Sequence, residues 1–168
     1  MKFVVNCPQN LEKVQKYAHA MDRSLRERAE FLPAAANADL LILFNPAASP
    51  DAGINAQVPG SDDCKAKITV ACGEGIAGDL HCGLGADCDL TFSSLQKGRL
   101  QICLLRPVQC LDGHFYEPFE FPFRGSVGNA YPMLAAAAVK ILCEVREPNR
   151  GLAKTDQNVE SSVCSPDR

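Results

Sequence analysis

One segment limits the possible folds more than any other: Pro132 to Val145, whose interior reads MLAAAAVKILC. Proline suits the first turn of a helix, Asn129 or Ser126 stands nearby as a cap, and Pro148 stops the run. Apolar residues lie nearly all round this helix, so it needs cover on more than one side. The four alanines permit close approach to a sheet or another helix. A second copy of the chain would provide such cover, so a homo-oligomer formed through helix 132–146 is one expectation.

The remaining periodic segments supply a sheet. Residues 2–6 read as a short strand, and Cys7-Pro8-Gln9 turns the chain toward a helix with Asn10 as its cap. Leu11, Val14, Ala18, Met21, Leu25, Ala29 and Leu32 then recur at three- and four-residue steps, predicting one amphipathic helix over 11–32 that ends at Pro33. His19 falls on its charged face, as a solvated histidine. Asp39–Phe44 is a buried strand that completes a βαβ unit with the first two elements. Lys65–Cys72, Asp89–Ser93 and Arg99–Leu105 read as further strands. Asp112-Gly113 joins two more as a two-residue hairpin with Cys110 facing Phe115. In 117–125, Phe119, Phe121 and Phe123 alternate with Glu120, Pro122 and Arg124, which places three rings on one face of an edge strand. The expected fold is α+β: a mixed sheet of about five to seven strands covered by helices 11–32 and 132–146. Residues 1–148 form a single domain, 45–63 a long loop and 149–168 a disordered tail.

Composition narrows the function classes. A formal charge of −3 and a pI near 5.6 speak against nucleic acid or an anionic membrane as the main partner. No window is apolar enough for a membrane span and the first residues do not resemble a signal peptide, so the expected location is cytoplasmic. Nine cysteines are many for 168 residues, but an odd number without an export signal reads as mostly reduced thiols.

Residues 72–94, CGEGIAGDLHCGLGADCDLTFSS, hold five of the twelve glycines, three of the nine cysteines and one of the three histidines. Four chemistries compete there. Gly73, Gly75 and Gly78 match G-x-G-x-x-G after a strand, but no helical period follows to receive a dinucleotide pyrophosphate. Cys72, His81, Cys82 and Cys88 are ligand types suited to zinc, at spacings looser than the usual knuckles. Cys82, flanked by Gly83 and Gly85, is a candidate nucleophile with His114 as base and an aspartate, Asp79 or Asp112, as its orienting carboxylate. In the fourth reading the segment is structural, its cysteines filling core space and its aspartates accepting backbone hydrogen bonds. A separate turn, Arg124, Gly125, Ser126 and Gly128, precedes the Ala-rich helix and would bind an anion at that helix's N-terminus. These expectations combine into a small cytosolic enzyme acting on an anionic small molecule through a Cys/His-containing Gly-rich loop. The alternative is a non-catalytic homo-oligomeric or partner-binding protein.

Overall fold

The computed structural model describes residues 1–45, 64–96, 99–123 and 129–144. In chain order the elements are β1 (Lys2–Val5), α1 (Pro8–Met21), α2 (Leu25–Arg28), β2 (Glu30–Leu32), β3 (Asn37–Phe44), β4 (Lys65–Cys72), β5 (Leu80–Cys82), β6 (Leu90–Gln96), β7 (Arg99–Leu104), β8 (Val108–Gln109), β9 (Phe115–Tyr116), β10 (Phe119–Phe123) and α3 (Ala130–Cys143). Eight strands form one mixed sheet in the order β10-β7-β6-β5-β4-β3-β1-β2, and β8 pairs with β9 as a separate hairpin. The sheet thus exceeds the expected five to seven strands. From β2 to β6 neighbouring strands are parallel; β7 runs antiparallel to β6, and β10 antiparallel to β7.

Side-chain alternation along β1 and β3 sorts the core into two faces. Phe3, Val5, Leu40 and Ile42 face a layer formed by α1 and α3, while Val4, Leu41 and Leu43 lie in a smaller cluster on the other face. Among the described residues both long helices lie on the same face of the sheet. There α3 packs against α1 and against β3 to β6, and Ala135 to Ala138 are fully buried. The all-round apolar character of this helix is therefore satisfied within one chain, and the alanine face offers no exposed surface to a second copy. Met133 and Leu134, both fully buried, each contribute about 1.5–3 kcal/mol by leaving water.

The first helix departs from its periodicity. It starts at Pro8, in the first helical position with Cys7 as cap, where proline's missing N–H costs nothing. It ends at Met21, well before Leu32, because Asp22 takes an extended conformation and its carboxylate accepts the Ser24 N–H at 2.8 Å. This local bond competes with helix continuation. Arg28 bonds back to the Ser24 hydroxyl at 2.7 Å, holding the single turn α2, and Phe31 and Leu32 pair with β1 as β2. The break also relocates His19, whose ring packs edge-on against Phe31 with centroids 5.7 Å apart, so it is half-buried and not a solvated residue. Burial, and then the Arg26 charge, hold its pKa below the usual imidazole value. Because the folded pKa is depressed, the unfolded state takes up the proton first. The associated stability is complete above about pH 6.5 and is lost as pH falls through the folded value. Urea midpoints should therefore drop between pH 7.5 and pH 5, and His19→Gln should flatten that dependence; a wild-type midpoint constant over this range would contradict it.

The hairpin differs by one residue from the expected register. Gln109 pairs with Phe115 and Val108 with Tyr116, leaving a three-residue loop at Leu111–Gly113, with Gly113 at φ 89°. A left-handed residue at the end of such a loop requires glycine or something close to it. The hairpin also caps α3: the Leu111 N–H donates to the Leu142 carbonyl at 2.9 Å, and the Cys110 thiol to the Ile141 carbonyl at 3.2 Å. These bonds satisfy two of the helix's last four carbonyls. The Phe119/121/123 stripe packs on the helix-side core from the β10 edge, as its alternation predicts.

Candidate functional site

Parallel neighbours are usually joined by a crossover of a dozen residues or more. Here β4 connects to β5 through residues 73–79, and β5 to β6 through 83–89. Such short returns are possible because each strand starts level with the end of its predecessor: Val70 pairs with Leu80, Cys72 with Cys82, and Cys82 with Leu90. Gly73 and Gly75 take φ of 112° and 74° to reverse the chain, a conformation costly for other residues. Gly78 then lies so close to β4 that a Cβ there would stand 2.9 Å from the Ala71 Cβ and 3.0 Å from the Thr69 carbonyl oxygen.

An aspartate opens each new ladder. The Asp79 N–H donates to the Thr69 carbonyl at 2.8 Å while its carboxylate accepts the Thr69 N–H at 2.7 Å. Asp89 repeats this with His81, donating at 2.9 Å and accepting the His81 N–H at 2.8 Å. Asp39 accepts the Lys2 N–H at 2.9 Å. Each carboxylate supplies an acceptor to an N–H that the incoming strand has not yet reached, and each is followed by a buried leucine, Leu40, Leu80 or Leu90. The hydrogen bond from the Lys67 ammonium, then that from the Lys2 N–H, holds the Asp39 carboxyl below its ordinary pKa.

At the carboxyl ends of β4 and β5 these returns enclose a cleft of about 250 Å³, walled by the glycine turns together with Glu74, His81, Asp87, Cys88 and, from α3, Tyr131. The Asn45 side-chain amide fixes one rim by donating to the Glu74 carbonyl at 2.7 Å. His81 is 43% exposed, with Nδ1 3.5 Å from Asp89 Oδ2; Asp89 is 15% exposed and its other oxygen is 3.1 Å from Arg106. Nδ1 is thus the ring nitrogen nearer the carboxylate and Nε2 the one farther from it. A larger cavity of about 430 Å³ lies at the opposite strand ends, between β4 and the hairpin, and includes Lys67 and Asp79. Volume alone would favour it, but Lys67 is paired with Asp39 at 2.7 Å and Asp79 with Thr69, so the chemistry favours the smaller cleft.

The expected catalytic group is not assembled. Cys82 is 1% exposed beneath α3, its thiol 3.9 Å from the Leu134 carbonyl. Burial, the Cys72 thiol and the nearby Cys88 and Asp89 push its pKa well up, the reverse of what a nucleophile needs. His114 is held by Asp112 on the hairpin and packs on Tyr116; Asp79 is committed to Thr69. Cys82, His114 and Asp79 thus serve three separate structural roles. The zinc set fails for a related reason. Cys72 and Cys82 are register partners, but His81 and Cys82 are consecutive on a strand and point to opposite faces. Among the described residues no three His, Cys, Asp or Glu side chains converge as a metal site requires. Arg124, Gly125, Ser126 and Gly128 lie outside the described residues, as do the 46–63 part of the long loop and the tail.

The residue types point to His81 and Cys88 in the cleft segment but not to Asp89 as the partner of His81, nor to Arg106 or Tyr131. The thrice-repeated Asp-Leu pair at a strand start (39–40, 79–80, 89–90) was the available signal for Asp89. No protein-family profile, curated protein or solved structure matches this chain. No helix among the described residues is long and apolar enough to cross a membrane.

Proposed function

We propose that the chain is a small enzyme whose site is the cleft over the ends of β4 and β5, with His81 as its proton-transfer group and Asp89, backed by Arg106, as the residue that positions it. The carrying observation is the half-exposed His81 ring in that cleft, beside a carboxylate itself bound by a backbone N–H and a guanidinium. The position supports the same reading, because ligands of open parallel sheets bind outside the carboxyl ends of the strands. The substrate is a small polar molecule. Glu74 and Asp87 in the wall favour hydrogen-bond donors on the part of the substrate that faces them.

Ligand-detected NMR of the full chain against a panel of small polar metabolites tests this. At least one compound should bind to the wild type and to the hairpin variant Phe115→Ser, and lose its signal in His81→Ala. If that compound is turned over, His81→Gln should reduce kcat by about 10²-fold or more. Binding indifferent to His81, or none across the panel, would overturn the reading.

A further inference from the structure

The strand ends and glycine returns also carry three thiols that proton transfer at His81 does not use, two of them paired across the strands and the third beside Gly83. Cys72 and Cys82 are directly paired at the ends of adjacent parallel strands, both buried on the α3 side. Directly paired residues on neighbouring strands stand about 4.8 Å apart, inside the Cα separation of about 4.4–6.8 Å that a disulfide spans. Cys88 lies in the cleft wall and is partly exposed. Its sulfur occupies the space over Gly83, the residue after Cys82, so closely that a Cβ at position 83 would stand 2.5 Å from it. Glycines at 73, 75, 83 and 85 adjoin these positions, so the two strand ends can shift with little backbone penalty.

We infer that Cys88, Cys82 and Cys72 form a thiol relay by which a small hydroperoxide entering the cleft oxidises the core pair to a Cys72–Cys82 disulfide. The Cys88 sulfur attacks the hydroperoxide, giving Cys88 sulfenic acid and the alcohol, or water when the oxidant is hydrogen peroxide. The Cys82 thiol condenses with the sulfenic acid, forming the Cys82–Cys88 disulfide and releasing water. Cys72 then attacks the Cys82 sulfur, expelling Cys88 as a free thiol. In sum two thiols and one hydroperoxide become one disulfide, one alcohol and one water, and two equivalents of a small thiol reverse the change. Burial raises the Cys82 and Cys88 pKa values, so thiolate is scarce at neutral pH and the relay is slow there, accelerating as pH rises.

The test uses the full chain and hydrogen peroxide, followed by alkylation and non-reducing peptide mapping. Cleavage after Lys and Arg and before Asp separates the three cysteines, because Asp79 and Asp87 fall between them. The expected product is a Cys72–Cys82 linked peptide pair that disappears on reduction. Cys88→Ser, at the most exposed of the three positions, should slow its formation at least tenfold. Formation should be several-fold faster at pH 8.5 than at pH 7 in the wild type. Free Cys72 and Cys82 alongside overoxidised Cys88 would overturn the relay, as would equally fast disulfide formation in Cys88→Ser. None of these readouts depends on a substrate, so the relay can fail while the proton-transfer reading stands, and the reverse.

Discussion

Gly78→Ala should destabilise the folded chain by about 1–3 kcal/mol, the usual cost of forcing atoms into a packed site. The added Cβ would meet the Ala71 Cβ at 2.9 Å, the Thr69 carbonyl oxygen at 3.0 Å and the Ala71 nitrogen at 3.1 Å. Two of these three atoms are backbone of β4 and cannot rotate away. Relief requires the 73–79 return to lift from β4, which would loosen the Asp79–Thr69 bonds and the cleft above them. Gly75→Ala makes an instructive comparison. Nothing lies within 4 Å of its Cβ position, but its φ is +74°, so its cost of about 1–2 kcal/mol is conformational. Enlarging the side chain to valine should therefore worsen position 78 more than position 75. Urea denaturation of the four variants measures this, and a Gly78→Ala chain as stable as the wild type would refute the close approach.

Asp89→Ala should be of similar size, about 1–3 kcal/mol, because it leaves the part-buried His81 N–H without an acceptor. Asp89→Asn retains an oxygen for that N–H and gives up only the charge facing Arg106, whose side chain is 58% exposed, so its cost should stay below about 1 kcal/mol. The two substitutions thereby separate the backbone role of the carboxylate from its electrostatic one. If Asn and Ala prove equally harmful, the ion pair and not the N–H bond holds the start of β6. Under the proposed function, Asp89→Asn should still impair the cleft, since it removes the carboxylate that stands 3.5 Å from the His81 ring.

The parts of the fold legible in the sequence were those with unbroken periodicity. The β4 bounds, Lys65–Cys72, match the alternation read along the chain, and the buried runs of β3 and α3 announced themselves by apolar content. The apolar stripe overstates the length of helix α1 because it does not reveal a competing side-chain bond; the Asp22-x-Ser24 turn stops the helix although Leu25, Ala29 and Leu32 continue its spacing. Strand β5 cannot be placed from the sequence, since three residues, Leu80–Cys82, carry too little pattern to separate a short strand from a Gly-rich loop. The candidate site was legible as a segment but not as a set of groups. Cysteine content drew attention to Cys82, whereas the register sends its thiol into the core and leaves the adjacent imidazole at the cleft. Partners such as Asp89 and Arg106 meet only through tertiary structure.

The short returns that build the cleft also divide the sheet by the chain length each contact must close. From β4 to β7 every neighbour lies within one or two turns along the sequence, whereas pairing β1 with β3 joins Phe3 to Leu40, and seating α3 on α1 brings together residues from opposite ends of the described chain. Contacts between near neighbours close at low entropic cost and form quickly, and distant ones come late. The 65–104 ribbon is thus the portion best placed to organise first, with the glycine-turn walls of the cleft formed on it before α3 adds Tyr131.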